Sequence, residues 1–73
     1  MNLVKRSISL SGHATSVALE PEFWAALESL AQSRGEPLAA LFRRLDESRG
    51  ARPLASAARV CALQWARRQS PEH

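Results

Sequence analysis

The sequence predicts a small, mainly α-helical domain with a short β ribbon, and three observations support this prediction. Two stretches near the N-terminus alternate in side-chain size with a period of two residues, which is typical of β-strands. Three later stretches repeat apolar residues at helical spacing, and prolines and glycines bound them. The chain has 73 residues, which is the length of one small domain, and we place that domain at residues 1–68.

The first two elements are predicted strands, over residues 4–10 and 13–19. Both alternate apolar or β-branched residues with small or polar ones, as in a sheet with one buried face. Arg6 interrupts the apolar set of the first strand. In the second strand the larger set is Thr15, Val17 and Leu19, and the smaller set is Ala14, Ser16 and Ala18.

The connection between these strands leaves two arrangements open. A two-residue turn at Ser11 and Gly12 would make a hairpin in which Leu10 faces His13, Ile8 faces Thr15 and Ser7 faces Ser16. This register puts the small and polar side chains of both strands on one face, which supports the hairpin. The alternative is an unpaired N-terminal arm, since dipeptides that contain glycine are also common outside hairpin turns.

Three helices are predicted to follow, over residues 21–34, 37–48 and 53–68. Each begins at or near a proline, which suits the first helical position, and the first two end at a glycine. The third helix is apolar on most sides, so we expect part of it to contact another subunit. Residues 69–73 are predicted to be a flexible tail.

Size and charge bound the possible assemblies and partners. A chain this short has a small core, and its single cysteine cannot form an internal disulfide, so we expect an obligate oligomer, most simply a twofold dimer. The net charge of +3 and the pI of about 10.5 are compatible with a polyanionic partner. No run has the length and apolarity of a membrane span or secretory signal, which predicts a cytoplasmic protein without a membrane partner.

Reactive side chains are few and scattered. His13 and Cys61 have no partners at metal-ligand spacing, and the other histidine lies in the predicted tail. Cys61, Trp24 and Trp65 occupy apolar positions of helices and are expected in the core or in an interface. We therefore expect no enzyme activity, no cofactor and no metal.

The order of elements resembles the ribbon-helix-helix family of bacterial DNA-binding proteins. The stretch SVALEPEFWAALESLAQSRG carries most of this resemblance: an alternating strand, an acidic helix start, spaced apolar residues and a glycine stop. The wider pattern resembles a subgroup with an extra N-terminal strand and a further helix, over about residues 5–66. The resemblance implies a homodimer in which the second strand pairs antiparallel with its copy, forming a ribbon that enters the DNA major groove.

The resemblance also implies which residues meet the core and which meet DNA. It assigns Thr15, Val17 and Leu19 to the core, and the opposite face of that strand to the groove. It implies that backbone amides at the start of the second helix hold a phosphate group, as helix N-termini can. Lys5 and Arg6 either contact phosphates or remain solvated charges. The residues expected at a DNA interface are Lys5, Arg6, His13, Ala14, Ser16, Ala18, Pro37, Leu38 and Ala39.

Three features depart from this pattern. Ala14 and Ala18 cannot donate hydrogen bonds to bases, which leaves Ser16 as the polar reader of that strand. Glu36 precedes the expected phosphate-binding turn, and Pro37 removes one donor from it. A hairpin in each subunit would make a sheet of four strands, which is wide for a groove of about 12 Å. We expect a sequence-specific transcriptional regulator that binds double-stranded DNA; the alternative is a dimeric protein-interaction or antitoxin-like module with weak or no DNA binding.

Overall fold

The structure is a computed structural model that describes residues 2–69. It contains a two-stranded antiparallel sheet followed by three helices, which confirms a mainly α-helical domain with a short β ribbon. Gln69, predicted to begin the tail, is instead the last residue of the third helix; the other predicted tail residues, 70–73, lie outside the described residues. The elements are β1 Val4–Leu10, β2 His13–Leu19, α1 Pro21–Ser33, α2 Leu38–Ser48 and α3 Leu54–Gln69.

The first strand is part of a hairpin and not a free arm. β1 and β2 pair antiparallel, with Leu10 opposite His13 and Ser7 opposite Ser16, as the size alternation predicts. Ser11 and Gly12 form the connection and have positive φ angles of 44° and 96°, as a two-residue type I′ turn requires. The partner of β2 within one chain is therefore β1, and a second chain has access to β2 only at its other edge.

One face of the hairpin, the inner face, packs on the helices. Its buried members come from both strands, and burying them on one side fixes the register, because a slip of one residue would expose them all. Thr15 was assigned to the core but is only half-buried, and His13, two residues earlier on the same face, is exposed. The buried residues of the inner face are Ile8, Leu10, Val17 and Leu19.

The core is closed within one chain. Trp24 is 2% exposed, and its ring centroid lies 5.6 Å from that of Phe42. The Trp24 indole N–H donates a 2.8 Å hydrogen bond to the carbonyl of Val4, which joins α1 to the start of β1. No buried side-chain nitrogen or oxygen of the described residues lacks a partner. The largest side chains with almost no exposure are Trp24, Phe42, Leu19, Leu27, Leu30 and Leu41.

The third helix is a structural part of this core. α3 packs on α1, α2 and β2, and it buries Ala57, Ala58 and Ala62. Small side chains at these positions let the helix lie close to its neighbours. Leu63 on another side of α3 is 54% exposed, while Cys61 and Trp65 are half-buried. The buried side of α3 therefore packs within its own chain, and contact with another subunit remains a prediction.

Candidate nucleic-acid interface

The outer face of the hairpin carries small side chains and one lysine. Residues that lie directly opposite each other across the two strands share it, so each strand contributes one side. All of them are exposed except Ala18, which is half-buried. The outer face can offer one ammonium group, serine hydroxyls and methyl groups, and it holds no residue that commonly binds a metal or cofactor. Its members are the pairs Lys5 and Ala18, Ser7 and Ser16, and Ser9 and Ala14.

The two edges of the hairpin differ in how well they can pair with a further β-strand. In an antiparallel ladder alternate residues turn their backbone N–H and C=O groups toward the partner strand. Because Leu10 and His13 flank the turn as a bonded pair, Ala14, Ser16 and Ala18 turn these groups away from β1. That edge of β2 has no charge or proline, which are the features that block edge pairing, whereas the edge of β1 carries Lys5.

Lys5 and Arg6, expected to act together on DNA, lie on opposite faces. Lys5 is exposed on the outer face, whereas Arg6 lies opposite Val17 on the inner face. The Arg6 guanidinium donates a 2.6 Å hydrogen bond to the Glu28 carboxylate and stacks 4.6 Å from the centroid of the Trp24 ring. Arg6 therefore covers the edge of the core, a position indicated by its interruption of the apolar set in the sequence.

The connection between α1 and α2 positions the start of α2. Gly35 has a φ of 66°, and its N–H bonds the carbonyl of Gln32 at 3.0 Å while the N–H of Glu36 bonds that of Ala31 at 3.1 Å. This pair of bonds is a Schellman motif, which satisfies the last carbonyls of α1 and turns the chain sharply.

The start of α2 offers free backbone donors. Pro37 is the N-cap in an extended conformation, and no side chain caps the helix. The first bond to the Pro37 carbonyl comes from the N–H of Ala40 at 3.0 Å, so the amides of Leu38 and Ala39 precede the intrahelical ladder. The three residues expected to hold a phosphate therefore lie together at a helix N-terminus, with Pro37 exposed and the other two half-buried.

Glu36 does not make this corner acidic. Both of its carboxylate oxygens accept hydrogen bonds from the Arg44 guanidinium, which lowers the pKa of Glu36 and keeps it ionised and paired at neutral pH. The charges of Arg34 and Arg43 lower this pKa further, so three arginines act on one carboxylate. The contact between Arg44 and Glu36 crosses the turn between α1 and α2, and helical periodicity in the sequence does not describe such a contact.

Among residues 2–69, the remaining reactive side chains do not form a site. His13 is exposed at the turn end of β2. Burial raises the pKa of the Cys61 thiol, which keeps it protonated and unreactive at neutral pH. Within residues 2–69 no three side chains of histidine, cysteine, aspartate or glutamate come together as metal ligands. Over the same residues, no helix has both the length and the apolarity needed to cross a membrane.

A short β ribbon packed on consecutive helices, with free amides at the start of the second helix, defines a class of small ribbon-and-helix domains. The family model of the ribbon-helix-helix domain matches residues 3–66, and the chain belongs to this family. Ribbon-helix-helix domains are generally DNA-binding domains of transcription regulators, and the fold is not an enzymatic one. No curated protein and no solved structure matches the chain.

Proposed function

We propose that the protein is a homodimeric transcriptional regulator that binds specific double-stranded DNA sequences through the outer face of its hairpin. The observation that carries this proposal is the outer face itself, which is largely exposed and free of carboxylates, with Lys5 at one end. Such a surface can approach a polyanion closely without repulsion. We further propose that it acts in the bacterial cytoplasm and catalyses no reaction.

The proposed dimer joins the two β2 strands antiparallel along their free edges. The outward-directed backbone groups of Ala14, Ser16 and Ala18 would supply the hydrogen bonds of this contact. The order of strands is then β1, β2, β2 of the partner subunit, and β1 of the partner subunit. Strands lie about 4.8 Å apart, so the outer two are separated by about 14 Å and the inner two by about 5 Å.

In this proposed geometry a sheet of four strands would fit the DNA groove. A major groove of about 12 Å admits the inner pair of strands but not all four at full depth. The β1 strands would therefore lie over the sugar-phosphate backbones at the groove edges. Lys5 is on β1, opposite Ala18, and in this arrangement its ammonium group would neutralise a phosphate.

The base contacts of this arrangement are few. The Ser16 hydroxyl can donate to or accept from a base edge, and the methyl groups of Ala14 and Ala18 can contact thymine methyls. Part of the specificity would then come from the sequence-dependent shape of the DNA.

Phosphate contacts complete the proposed interface. We retain the start of α2, where the amides of Leu38 and Ala39 follow Pro37 and the surrounding arginines outnumber Glu36. His13 remains a flanking residue of the interface, because it is exposed at the end of β2. We leave Arg6 out of the proposed interface, because its guanidinium is engaged by Glu28 on the helix side.

A charge placed on the outer face tests DNA binding. Ser16→Glu puts a carboxylate from each subunit against the DNA, whereas Ser29→Glu adds the same charge to an exposed position of α1. Binding to mixed double-stranded fragments is measured by fluorescence anisotropy across a salt series, with sedimentation to show that both variants stay dimeric. We expect Ser16→Glu to lose binding at least about a hundredfold and Ser29→Glu less than about threefold. Equal losses in dimeric variants would remove the outer face from the interface.

A proline at each edge tests the dimer. Ser7 and Ser16 lie opposite each other, and both turn their N–H groups away from the hairpin, so proline at either site removes no hairpin bond. We expect Ser16→Pro to dissociate the dimer and Ser7→Pro to leave it intact, as seen by sedimentation equilibrium. The melting temperature of the unchanged protein should rise with its concentration, because dimerisation stabilises the folded chain. Dissociation by Ser7→Pro alone would move the contact to β1.

The alternative function is a dimeric protein-interaction or antitoxin-like module with weak or no DNA binding. It is favoured by the outer side of β2, which offers only one hydroxyl and two methyl groups for contacts with base edges. Under this alternative the protein is dimeric, yet its affinity for DNA is weak and the same for every sequence. Sequence-dependent binding to a selected DNA fragment would exclude it.

A further inference from the structure

A groove runs between α2 and α3 on the helical side of the domain. Two adjoining depressions share Leu45, Ser48 and Cys61, so they form one continuous surface, which we name the α2–α3 groove. Its apolar floor consists of Leu41, Leu45, Val60 and Cys61. Its rim carries Arg34, Arg44, Arg49 and Arg52.

We propose that the α2–α3 groove binds an acidic amphipathic helix of a partner protein. α2 has 11 residues and is therefore about 16 Å long, which matches a partner segment of about three helical turns. A groove between two helices is a common docking place for the apolar face of a third helix. The groove is apart from the outer face of the hairpin, but its rim residues Arg34 and Arg44 also lie near the phosphate site proposed at the start of α2. Binding of the partner helix does not itself require DNA binding.

The floor supplies the apolar part of this recognition. Leu45, Val60 and Cys61 are half-buried, so each keeps apolar surface that its own chain leaves uncovered. Burial raises the pKa of the Cys61 thiol, which therefore remains uncharged at neutral pH. A partner that covered these side chains with leucine or methionine would remove that surface from water, at about 25 cal/mol per Å².

The rim selects the charge of the partner. Arg44 is engaged by Glu36, and Arg49 is engaged by Asp46 at 2.8 Å. Arg34 and Arg52 have no carboxylate within salt-bridge distance among residues 2–69, and Glu47 is the one acidic residue that lines the groove. The rim thus has an excess of positive charge, which glutamates or aspartates beside the apolar stripe of a helix would neutralise.

A second copy of the chain and DNA fit the groove less well than an acidic helix. A twofold contact of two copies through this groove would bring two arginine-rimmed surfaces together, and like charges repel. DNA would satisfy the arginines but would leave the apolar floor without a matching surface. A helix with carboxylates on its flanks and leucines at its centre matches both parts of the groove.

The first test uses two synthetic helical peptides of three turns. Both carry leucines at every third or fourth position, and the remaining residues are glutamate in one peptide and lysine in the other. Titration of the ¹⁵N-labelled full chain should show saturable shifts at Leu45, Val60 and Cys61 with the glutamate peptide alone. The affinity should fall as salt is added, because the rim charges are then screened. Equal binding of both peptides, no binding, or shifts confined to the hairpin would overturn the proposal.

Matched variants assign the contact to floor and rim. Val60→Glu changes the floor, and its control is Leu63→Glu at an exposed position of the same helix. Arg52→Glu changes the rim, and its control is Arg67→Glu near the end of α3. We expect the groove variants to lose affinity for the glutamate peptide roughly tenfold or more, and their controls less than about twofold. Circular dichroism shows which variants are folded, and Arg52→Glu keeps the test valid if Val60→Glu unfolds. If Arg52→Glu weakens DNA binding more than Arg67→Glu and leaves peptide binding unchanged, the groove belongs to the DNA interface.

Discussion

The inner and outer faces of the hairpin share one backbone but differ in burial and in the kind of side chain that they carry. The inner face carries large apolar side chains, such as Val17 at 3% exposure, and α2 and α3 pack against the strands. The outer face carries serines and alanines that are not members of the hydrophobic core, together with Lys5. Stability of the chain thus explains the inner residues, whereas the outer ones are free to serve a contact with another molecule.

The two basic residues at the start of β1 show the same contrast within two positions. Arg6 points to the helices, where Glu28 and the Trp24 ring hold its guanidinium. Lys5 has no salt bridge among the described residues and is exposed on the outer face. Adjacent charges in a strand therefore need not share a function, because successive side chains point to opposite faces.

The largest difference between the faces is expected from one added carboxylate. Val17→Glu places an unpaired charge in the core, which costs several kcal/mol and should unfold a domain of this size. Ser16→Glu, one residue away, should keep the helical circular dichroism and cooperative melting of the unchanged protein. Cooperative melting of Val17→Glu near the original temperature would show that the face assignment of β2 is wrong.

Truncation of neighbouring residues in β1 sharpens the same comparison. Leu10→Ala removes a side chain that is 3% exposed and leaves a cavity, so the free energy of unfolding should fall by about 2–4 kcal/mol. Ser9→Ala on the outer face should change it by less than about 0.5 kcal/mol. Denaturant unfolding in urea measures both values. A loss for Ser9→Ala as large as that for Leu10→Ala would mean that the outer face is also packed.

Lys5 and Arg6 separate DNA binding from stability. Lys5→Ala should make the slope of log K against log salt less steep, by about 1 for each phosphate that the variant no longer neutralises. Its melting temperature should stay unchanged. Arg6→Ala should leave this slope unchanged and lower the free energy of unfolding by about 1 kcal/mol, through its ion pair and its stacking on Trp24. The salt slope and the melting curve of each variant are the measurements. The reverse result would place Arg6, and not Lys5, on the DNA.

Local patterns in the sequence predict much of this fold. Size alternation predicts the hairpin register, and prolines and glycines such as Gly35 indicate where the helices end, because these effects act between near neighbours. Contacts between distant residues are not accessible in this way: the Trp24 bond to Val4 and the pairing of Arg44 with Glu36 depend on how the elements pack. The outer face could be predicted from periodicity, but the α2–α3 groove could not, since α2 and α3 create it together.

The smallest effect is expected at the turn, which belongs to neither face. Ser11 has a φ of 44°, a conformation that asparagine adopts more readily than serine, and Asn-Gly is the preferred pair in a turn of this type. Ser11→Asn should therefore raise the free energy of unfolding by a few tenths of a kcal/mol, or about 2 °C in melting temperature. Ser9→Asn, an exposed position in the regular strand, is the control and should bring no gain. DNA affinity should stay within about twofold for Ser11→Asn, because the change acts on the backbone of the turn and leaves the outer face intact. A lower melting temperature for Ser11→Asn would show that the serine side chain, and not the backbone angle, determines the stability of the turn.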